Sequence, residues 1–590
     1  MSVDAWITLG TVLLVVALLV REAAAPALVI FGADVFLLVT GVIDADQALA
    51  GFGNPAPFTV AALYVVARSV EKTGALQPLL GAAMGGRRSA RRALARLLGP
   101  VAAASAFVNN TPIVAMASPQ VASWARRRGW SPSAFLMPLS FAAILGGVVT
   151  VIGTSTNLLV SGLMEDHGFD PIGMFEIAPL GLPVAVVGVL YLVLASPRLL
   201  PRRLVAFEEL ERHSRDFIVQ MEVVAGGPLD GVTVEDGGLR HLENVFLAEV
   251  QRRSGGEIVA PARPETHLAG GDILVFAGRA DRVLDLQGHP GLRSTEQKHA
   301  EVFAAAGHTY FEVVIGTGSP LLGRTLKEAD FRRRYQAAVL GLHRAGEPVR
   351  SKLGAVDLRA GDTLLLLSDE EFRERWRDRS EFLLIALRGG LPPATVREGW
   401  IVAAVLAGVV ALGATGLVPI LHAALVGAFL LVAARILTVG EARRAVDLDV
   451  VLVIGASFGL ASAVESSGLA DLAAAAIGGL TSTWGTRGAL LGVVALTLLL
   501  TELITNNAAA VLVFPVALAA AASTGLDPRL VALVVAVAAS SSFLTPIGYQ
   551  TNTMVYGPGG YRFTDYLRLG VPLTVLVIAV LVIVAPLLSP

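Results

Sequence analysis

The chain has 590 residues, of which 54% are hydrophobic and only 16% charged, with a mean hydropathy of +0.66 and a formal net charge of -2. Soluble domains carry about 25% charged residues, so this composition excludes an ordinary soluble globular protein, and the near-neutral balance gives no ground for a nucleic-acid partner. Cysteine is absent, which excludes disulfides, thiol catalysis and cysteine-ligated metals.

In chain order, the long apolar runs are WITLGTVLLVVALLV (6–20), GLPVAVVGVLYLVLA (181–195), WIVAAVLAGVVALGATGLVPI (400–420) and VPLTVLVIAVLVIVAPLL (571–588). Several approach the roughly 20 residues that cross a bilayer, and they are too many for one signal peptide plus a domain. The reading is a polytopic α-helical membrane protein, with the lipid bilayer as partner and membrane halves over 1–204 and 391–590.

Within the first half, AFVNNTPIVA (106–115) sets two amides inside apolar sequence. Arg87, Arg88, Arg91, Arg92 and Arg96 precede it, and Arg126, Arg127 and Arg128 follow. Basic flanks prefer the cytoplasm, yet only one span lies between them. A re-entrant hairpin over 97–123 with Asn109-Asn110-Thr111 at its tip satisfies both. Ile152-Gly-Thr-Ser-Thr-Asn157 then follows FAAILGGVVTVIG, and Gly153 gives the backbone freedom for a helix broken near 153. Arg198, Arg202 and Arg203 place the next segment in the cytoplasm.

Residues 205–390 change character to charged, alternating stretches separated by turns, a soluble α+β insert. It is a tandem, 205–292 and 293–390: Gly227–Thr233 matches Ser319–Thr325 and Gly270–Phe276 matches Ala360–Leu366, at offsets of 92 and 90. Gly316-Thr-Gly318 is not a dinucleotide fingerprint, and no TVGYG-like potassium filter exists.

The second half repeats the first. Val70–Leu76 corresponds to Val464–Ala470, Asn109–Pro119 to Thr505–Pro515, and Ile152–Asn157 to Ile547–Asn552, at offsets of 394, 396 and 395. Two inverted-topology repeats with polar interruptions are the mark of a secondary transporter rather than an enzyme. Sparse flanks, Arg487 and Arg529, fit a hairpin near 501–523 entering from outside, with a broken helix near 548. Glu502 is read as the one carboxylate deep in an apolar run, bracing the tip or linked to protons; Ala106 stands at its place in the first half. Glu71 and Glu465 correspond across the halves near segment ends. Hairpin tips combine helix-end carbonyls, which suit a hard cation, with helix N-terminal amides, which suit an anion.

Together VNNTP, IGTSTN, TELITNNAAAVLVFP and TPIGYQTN resemble the divalent anion/sodium symporter family, over both membrane halves. The insert resembles a pair of TrkA-C (RCK-C) modules, as in the sodium/sulfate branch. The resemblance implies sodium-coupled symport of a divalent anion, sulfate first, by an elevator mechanism in an inner-membrane homodimer. It also implies cytoplasmic TrkA-C domains acting as regulatory modules, open to an unknown small ligand. Implied sodium ligands are Ser105, Asn109, Asn110 and Gly153 in the first site, and Thr501, Thr505, Asn506 and Gly548 in the second. Implied substrate contacts are Asn110, Thr111, Thr154, Asn157, Asn506, Asn507, Tyr549 and Asn552. Thr154-Ser155 and Tyr549-Gln550 replace the proline pairs of dicarboxylate members, which argues for a small tetrahedral oxyanion. Dicarboxylates, thiosulfate and molybdate are alternative cargoes, and a cation/proton antiporter is the alternative of another class.

Overall fold

The computed structural model describes residues 1–21, 24–85, 89–201, 218–239, 245–253, 258–259, 262–278, 291–294, 308–316, 319–344, 347–349, 353–369, 371–376, 381–387, 396–546 and 548–588. Arg87, Arg88, Arg202, Arg203, Thr317, Gly318 and Ile547, all used above, lie outside these. The chain forms two compact units: residues 1–202, 392–555 and 562–590, and residues 203–391 with 556–561.

In the helical unit the first half comprises α1 (Val3–Val20), α2 (Pro26–Val39), α3 (Ala45–Gly53), α4 (Pro55–Thr73), α5 (Gln77–Ala83), α6 (Ala90–Ser105), α7 (Asn110–Arg127), α8 (Leu136–Gly147), α9 (Ser155–Asp166) and α10 (Ala178–Leu199). Among its described residues the insert contributes two short helices, α11 (Phe331–Tyr335) and α12 (Phe372–Trp376). The second half comprises α13 (Val396–Thr415), α14 (Ile420–Ala433), α15 (Val439–Ala445), α16 (Leu448–Ser466), α17 (Leu469–Trp484), α18 (Thr486–Leu503), α19 (Asn506–Thr524), α20 (Pro528–Ala539), α21 (Gln550–Tyr556) and α22 (Phe563–Leu588). Each helix of one half has a counterpart in the other, in the same order.

Even the helix starts are repeated. Asp44 and Gln47 close a capping box on α3, and Thr438 and Glu441 close one on α15, 394 positions later. Such reciprocal bonds satisfy amides that the first helical turn leaves free. Asn54 caps α4 through the Ala56 amide and Asp447 caps α16 through the Val450 amide.

Among the described residues eight helical segments are long and apolar enough to cross a membrane, α3 and α4 counting as one. Burial separates the helices of this unit by role. Every residue of α8 is buried, as is α20 from Leu530 to Ala539, so these two helices form the centre. By contrast α1, α2 and α14 expose Leu13, Phe36 and Phe429, among others, as lipid-facing helices do. The hairpins are longer than expected. Their arms run 90–105 and 110–127, and 486–503 and 506–524, against the expected 97–123 and near 501–523, because the helix of each first arm extends well before the polar tip. At 1.5 Å per residue the arms are about 24 to 28 Å long.

Three polar ties join the halves at helix ends. Arg529, at the start of α20, forks onto Glu176 and bonds the carbonyls of Asp170 and Pro171 at 2.8 and 3.2 Å. Burial pushes Glu176 up, but bonds from Arg529 and the Gly173 amide outweigh it and hold the carboxyl below its usual range. His167 meets Glu465 at 2.9 Å, and Lys72 meets Glu441 at 2.7 Å.

The insert unit holds two antiparallel five-stranded sheets. The first contains β1 (Ile218–Val223), β2 (Val245–Gln251), β3 (Ile258–Val259), β4 (Ile273–Gly278) and β5 (Leu292–Ser294), ordered β3-β2-β4-β1-β5. The second contains β6 (His308–Ile315), β7 (Ala338–Arg344), β8 (Glu347–Pro348), β9 (Thr363–Asp369) and β10 (Phe382–Leu387), ordered β10-β6-β9-β7-β8. Read from its other edge, that is the same order. Both copies carry a register shift at the same place, Leu247/Glu249 and Val339/Gly341. Each sheet backs its own core, around Phe276 and Leu274 in one and Phe311, Tyr335 and Phe372 in the other.

Candidate functional site

The two tips and the two helix breaks come together at the centre of the helical unit. In the first half, α6 ends at Ser105 and α7 begins at Asn110, so residues 106–109 form the tip. Asn109 caps α7, its side-chain oxygen accepting the Thr111 amide at 3.3 Å. Thr505 caps α19 equivalently through the Ala508 amide at 3.4 Å. Capping therefore falls on the residue before each central asparagine and leaves Asn110 and Asn506 for other work.

Those two asparagines are held alike. Ser105 Oγ donates to Asn110 Oδ1 at 2.6 Å, and Thr501 Oγ1 donates to Asn506 Oδ1 at 3.2 Å and to the Ala539 carbonyl at 2.5 Å. Each half thus gathers a hydroxyl and an amide oxygen at its tip, neutral oxygen ligands of the kind sodium takes.

Gly153 and Gly548 face these tips, but for a reason other than the one expected. Neither has a positive φ, so neither is needed for left-handed backbone. A Cβ on Gly153 would collide with the backbone of Gly147, and one on Gly548 would lie 2.9 Å from Thr545 Oγ1 and 3.1 Å from Glu502 Oε2. They permit close approach of each loop to its helix end.

Asn157 and Asn552 serve the loops. Both are fully buried. Asn157 Nδ2 donates to the carbonyls of Gly147 and Thr150 at 3.2 and 2.9 Å, and Asn552 Nδ2 to those of Ser542 and Thr545 at 3.1 and 3.3 Å. Each amide therefore spans the carbonyls ten and seven residues before it and fixes the break. The structure spends these two donors on backbone, so the substrate contact implied for them has no free amide proton to use. Asn552 Oδ1 accepts from Ser140 Oγ at 2.8 Å, whereas Asn157 Oδ1 has no hydrogen-bond partner among the described residues. The position corresponding to Ser140 is Val535.

Contacts across the halves are unequal. Asn110 Nδ2 donates to Tyr549 Oη at 2.6 Å, and Tyr549 Oη lies 3.3 Å from Thr154 Oγ1. Thr111 Oγ1 donates to Gln550 Oε1 at 3.3 Å. On the other side, Ser155 and Thr156 donate to Asn507 Oδ1 at 3.4 and 3.0 Å. The second loop thus reaches the first tip with a tyrosine, and the first loop reaches the second tip with small hydroxyls. A small cavity of about 20 Å³ lies against the first tip, lined by Tyr64, Ala67, Phe107, Asn109, Ile152 and Ser155 among others, a mostly apolar wall around room for little more than one water.

Sequence reasoning missed several partners. Ser155 and Gln550, read only as replacements for the proline pairs, and Thr156, in the same motif as Ser155, are contacts as well; Ser140, within LMPLSFAA, carries no local signal. Asp34 corrects the expectation that Glu502 is the one deep carboxylate. It sits on α2 in FGADVFLLV, is 3% exposed, and lies beside Gly459 of α16. Among the described residues no group of histidines and carboxylates is arranged to hold a metal ion, and none of the four motifs contains Lys or Arg.

The profile of the citrate transporter family matches residues 11–538. The chain is 36% identical over 559 residues to a putative sulfur deprivation response regulator of Chlamydomonas reinhardtii, covering 92% of this chain and 95% of that protein. It is equally similar to an uncharacterized transporter of Synechocystis, 36% over 563 residues, covering 92% and 90%. Sodium/sulfate cotransporter 1 of Chlamydomonas reinhardtii is 24% identical over 748 residues, covering 90% and 84%. With eight helical segments among the described residues fit to cross a membrane and a duplicated pair of tips and breaks at its centre, the chain is a multi-pass membrane transporter, not an enzyme, and belongs to the citrate transporter family.

Proposed function

We infer that the protein is a sodium-coupled symporter of a small divalent oxyanion, with sulfate as the first candidate. The observation that carries the reading is the bond from Asn110 to Tyr549 across the two halves. It sets neutral oxygens, which can take sodium, beside amides and hydroxyls, which can take an anion. Without a lysine or arginine in the motifs, the anion's charge falls to bound sodium and the amide ends of α7 and α19. Similarity to proteins named sodium/sulfate cotransporters supports the same choice.

Ser105, Asn109, Asn110 and Gly153 form the first proposed sodium site, and Thr501, Thr505, Asn506 and Gly548 the second. Asn110, Thr111, Thr154, Asn506, Asn507 and Tyr549 face the substrate, while Asn157 and Asn552 hold its walls. The tips and breaks move as one body in an elevator cycle within a homodimer of the inner membrane. The insert lies in the cytoplasm, and its two sheets act as TrkA-C-like regulatory modules. Uptake of radiolabelled sulfate into proteoliposomes tests this. Sodium should drive it, and Asn110→Ala or Asn506→Ala should abolish it; uptake indifferent to sodium refutes symport.

A second reading, a citrate-like or four-carbon carboxylate as cargo, is favoured by the family profile's description. Competition of sulfate uptake by succinate and citrate separates the two.

A further inference from the structure

The second helix break contains an anion site already filled from within. After α20 ends at Ala539, residues 540–546 and 548–549 lie outside regular helix before α21. The amides of Phe543 and Leu544 donate to Glu502 Oε1 at 2.6 and 2.8 Å, and the amide and hydroxyl of Thr545 donate to Glu502 Oε2, both at 3.1 Å. Three consecutive backbone N–H groups converging on one anion are a nest. All four partners are donors, so they match an ionised carboxylate, whose oxygens only accept. A side-chain amide would turn its own N–H₂ against them.

The first half solves the same junction without charge. Ala106 replaces Glu502. Thr150, which corresponds to Thr545, bonds the Ala106 carbonyl. Val148 N and Val149 N, which correspond to Phe543 and Leu544, both turn back to the Gly146 carbonyl, Val149 at 3.1 Å. Backbone acceptors thus serve the first break, and a carboxylate serves the second. Glu502 also follows Thr501 in sequence, and its Oε2 lies against Gly548, so its charge stands beside the second proposed cation site.

We propose that Glu502 is a positioning residue, a resident anion that assembles the second break and gives its cation site a fixed negative charge that the first site lacks. The substrate anion is consequently shut out of the 543–545 nest. The consequence for cation binding rests on the sodium-coupled reading; the filled nest does not.

The test uses the full-length protein in detergent and in proteoliposomes, with Glu502→Gln, Glu502→Ala and Glu502→Asp. Hydrogen exchange of the peptide spanning 540–549 reads the nest directly. Exchange should rise at least tenfold in Glu502→Ala and in Glu502→Gln despite the latter's matching shape, stay closer to wild type in Glu502→Asp, and be slowed again in Glu502→Ala by added formate. In proteoliposomes the sodium concentration for half-maximal sulfate uptake should rise about tenfold in Glu502→Gln, and formate should partly restore Glu502→Ala but not Asn110→Ala. Protection unchanged in Glu502→Gln, or exchange in Glu502→Ala indifferent to formate, overturns the proposal. Absence of sulfate uptake in the wild type overturns the symport reading instead and leaves the exchange result to decide the role of Glu502.

Discussion

The chain is duplicated twice, once in the membrane and once in the insert, and the two pairs have diverged in opposite places. In the insert, copies keep the strand order, the register shift and a buried ion pair. Arg252 meets Asp272 at 2.5 Å, and Arg344 meets Asp362 at 2.7 Å. Both carboxylates also accept an amide three residues upstream, from Ala269 and Arg359, and so close the Gly-Asp turn that feeds β4 and β9. In the membrane, copies keep every helix and the asparagine braces but change the groups at the centre: Ala106 against Glu502, Thr111 against Asn507, Thr154 against Tyr549. Retention at a turn preserves a fold; divergence at a tip, inside a retained frame, makes two unequal half-sites from one architecture. A single anion presented to two equal halves would have no preferred orientation.

The comparison breaks most visibly if the braces are not equivalent. Asn157→Ala and Asn552→Ala should each strand two buried carbonyls, cost about 3 kcal/mol, and abolish transport. Thermal unfolding in detergent together with uptake measures both, and a large effect in only one half would show that the frame has also diverged.

Next, the insert copies should part company in acid. His343 on β7 is buried, and burial drives it down to about 4 from an ordinary 6.5; Gln251 holds the matching place in the first copy. Between those values the unfolded chain binds the extra proton, so this stability is full above about pH 6.5 and is lost as pH falls toward 4, at most about 3 kcal/mol. Hydrogen exchange should show the second sheet loosening first, and His343→Gln should remove the difference.

A smaller effect is expected at the shared ion pair. Asp272→Ala or Asp362→Ala should destabilise its own sheet by about 2 kcal/mol, less than a fully buried pair because each arginine is partly exposed. Limited proteolysis of the insert reads this copy by copy. The smallest concerns Lys72 and Glu441, joined near the surface. Lys72→Ala should cost about 0.5 kcal/mol, visible as a slight fall in melting temperature with uptake intact.

Much of the helical frame was legible because apolar length and a constant offset are properties of sequence alone. The tips were legible because a buried Asn-Asn pair violates the run around it. The division of labour among the asparagines could not be read. Capping passes to Asn109 and Thr505, while Asn157 and Asn552 turn inward to their own loops, and both depend on where the backbone breaks. Asp34 escaped because its helix, though strongly apolar, is only 14 residues long and carries none of the repeated motifs. Tyr549 was legible as bulk, but its bond to Asn110, 439 positions away, belongs to tertiary structure.

The two braces also bear on how this protein ages. Asn157 and Asn552 each aim an N–H₂ at two carbonyl oxygens. Spontaneous hydrolysis of either amide to a carboxylate would change one atom's chemistry and almost no volume, yet turn two attractions into two oxygen–oxygen repulsions within a buried site. Neither asparagine is followed by glycine, the neighbour that most readily permits the cyclisation leading to such damage; Leu158 and Thr553 stand there instead. The same burial that makes the braces indispensable therefore also slows the chemistry that would undo them.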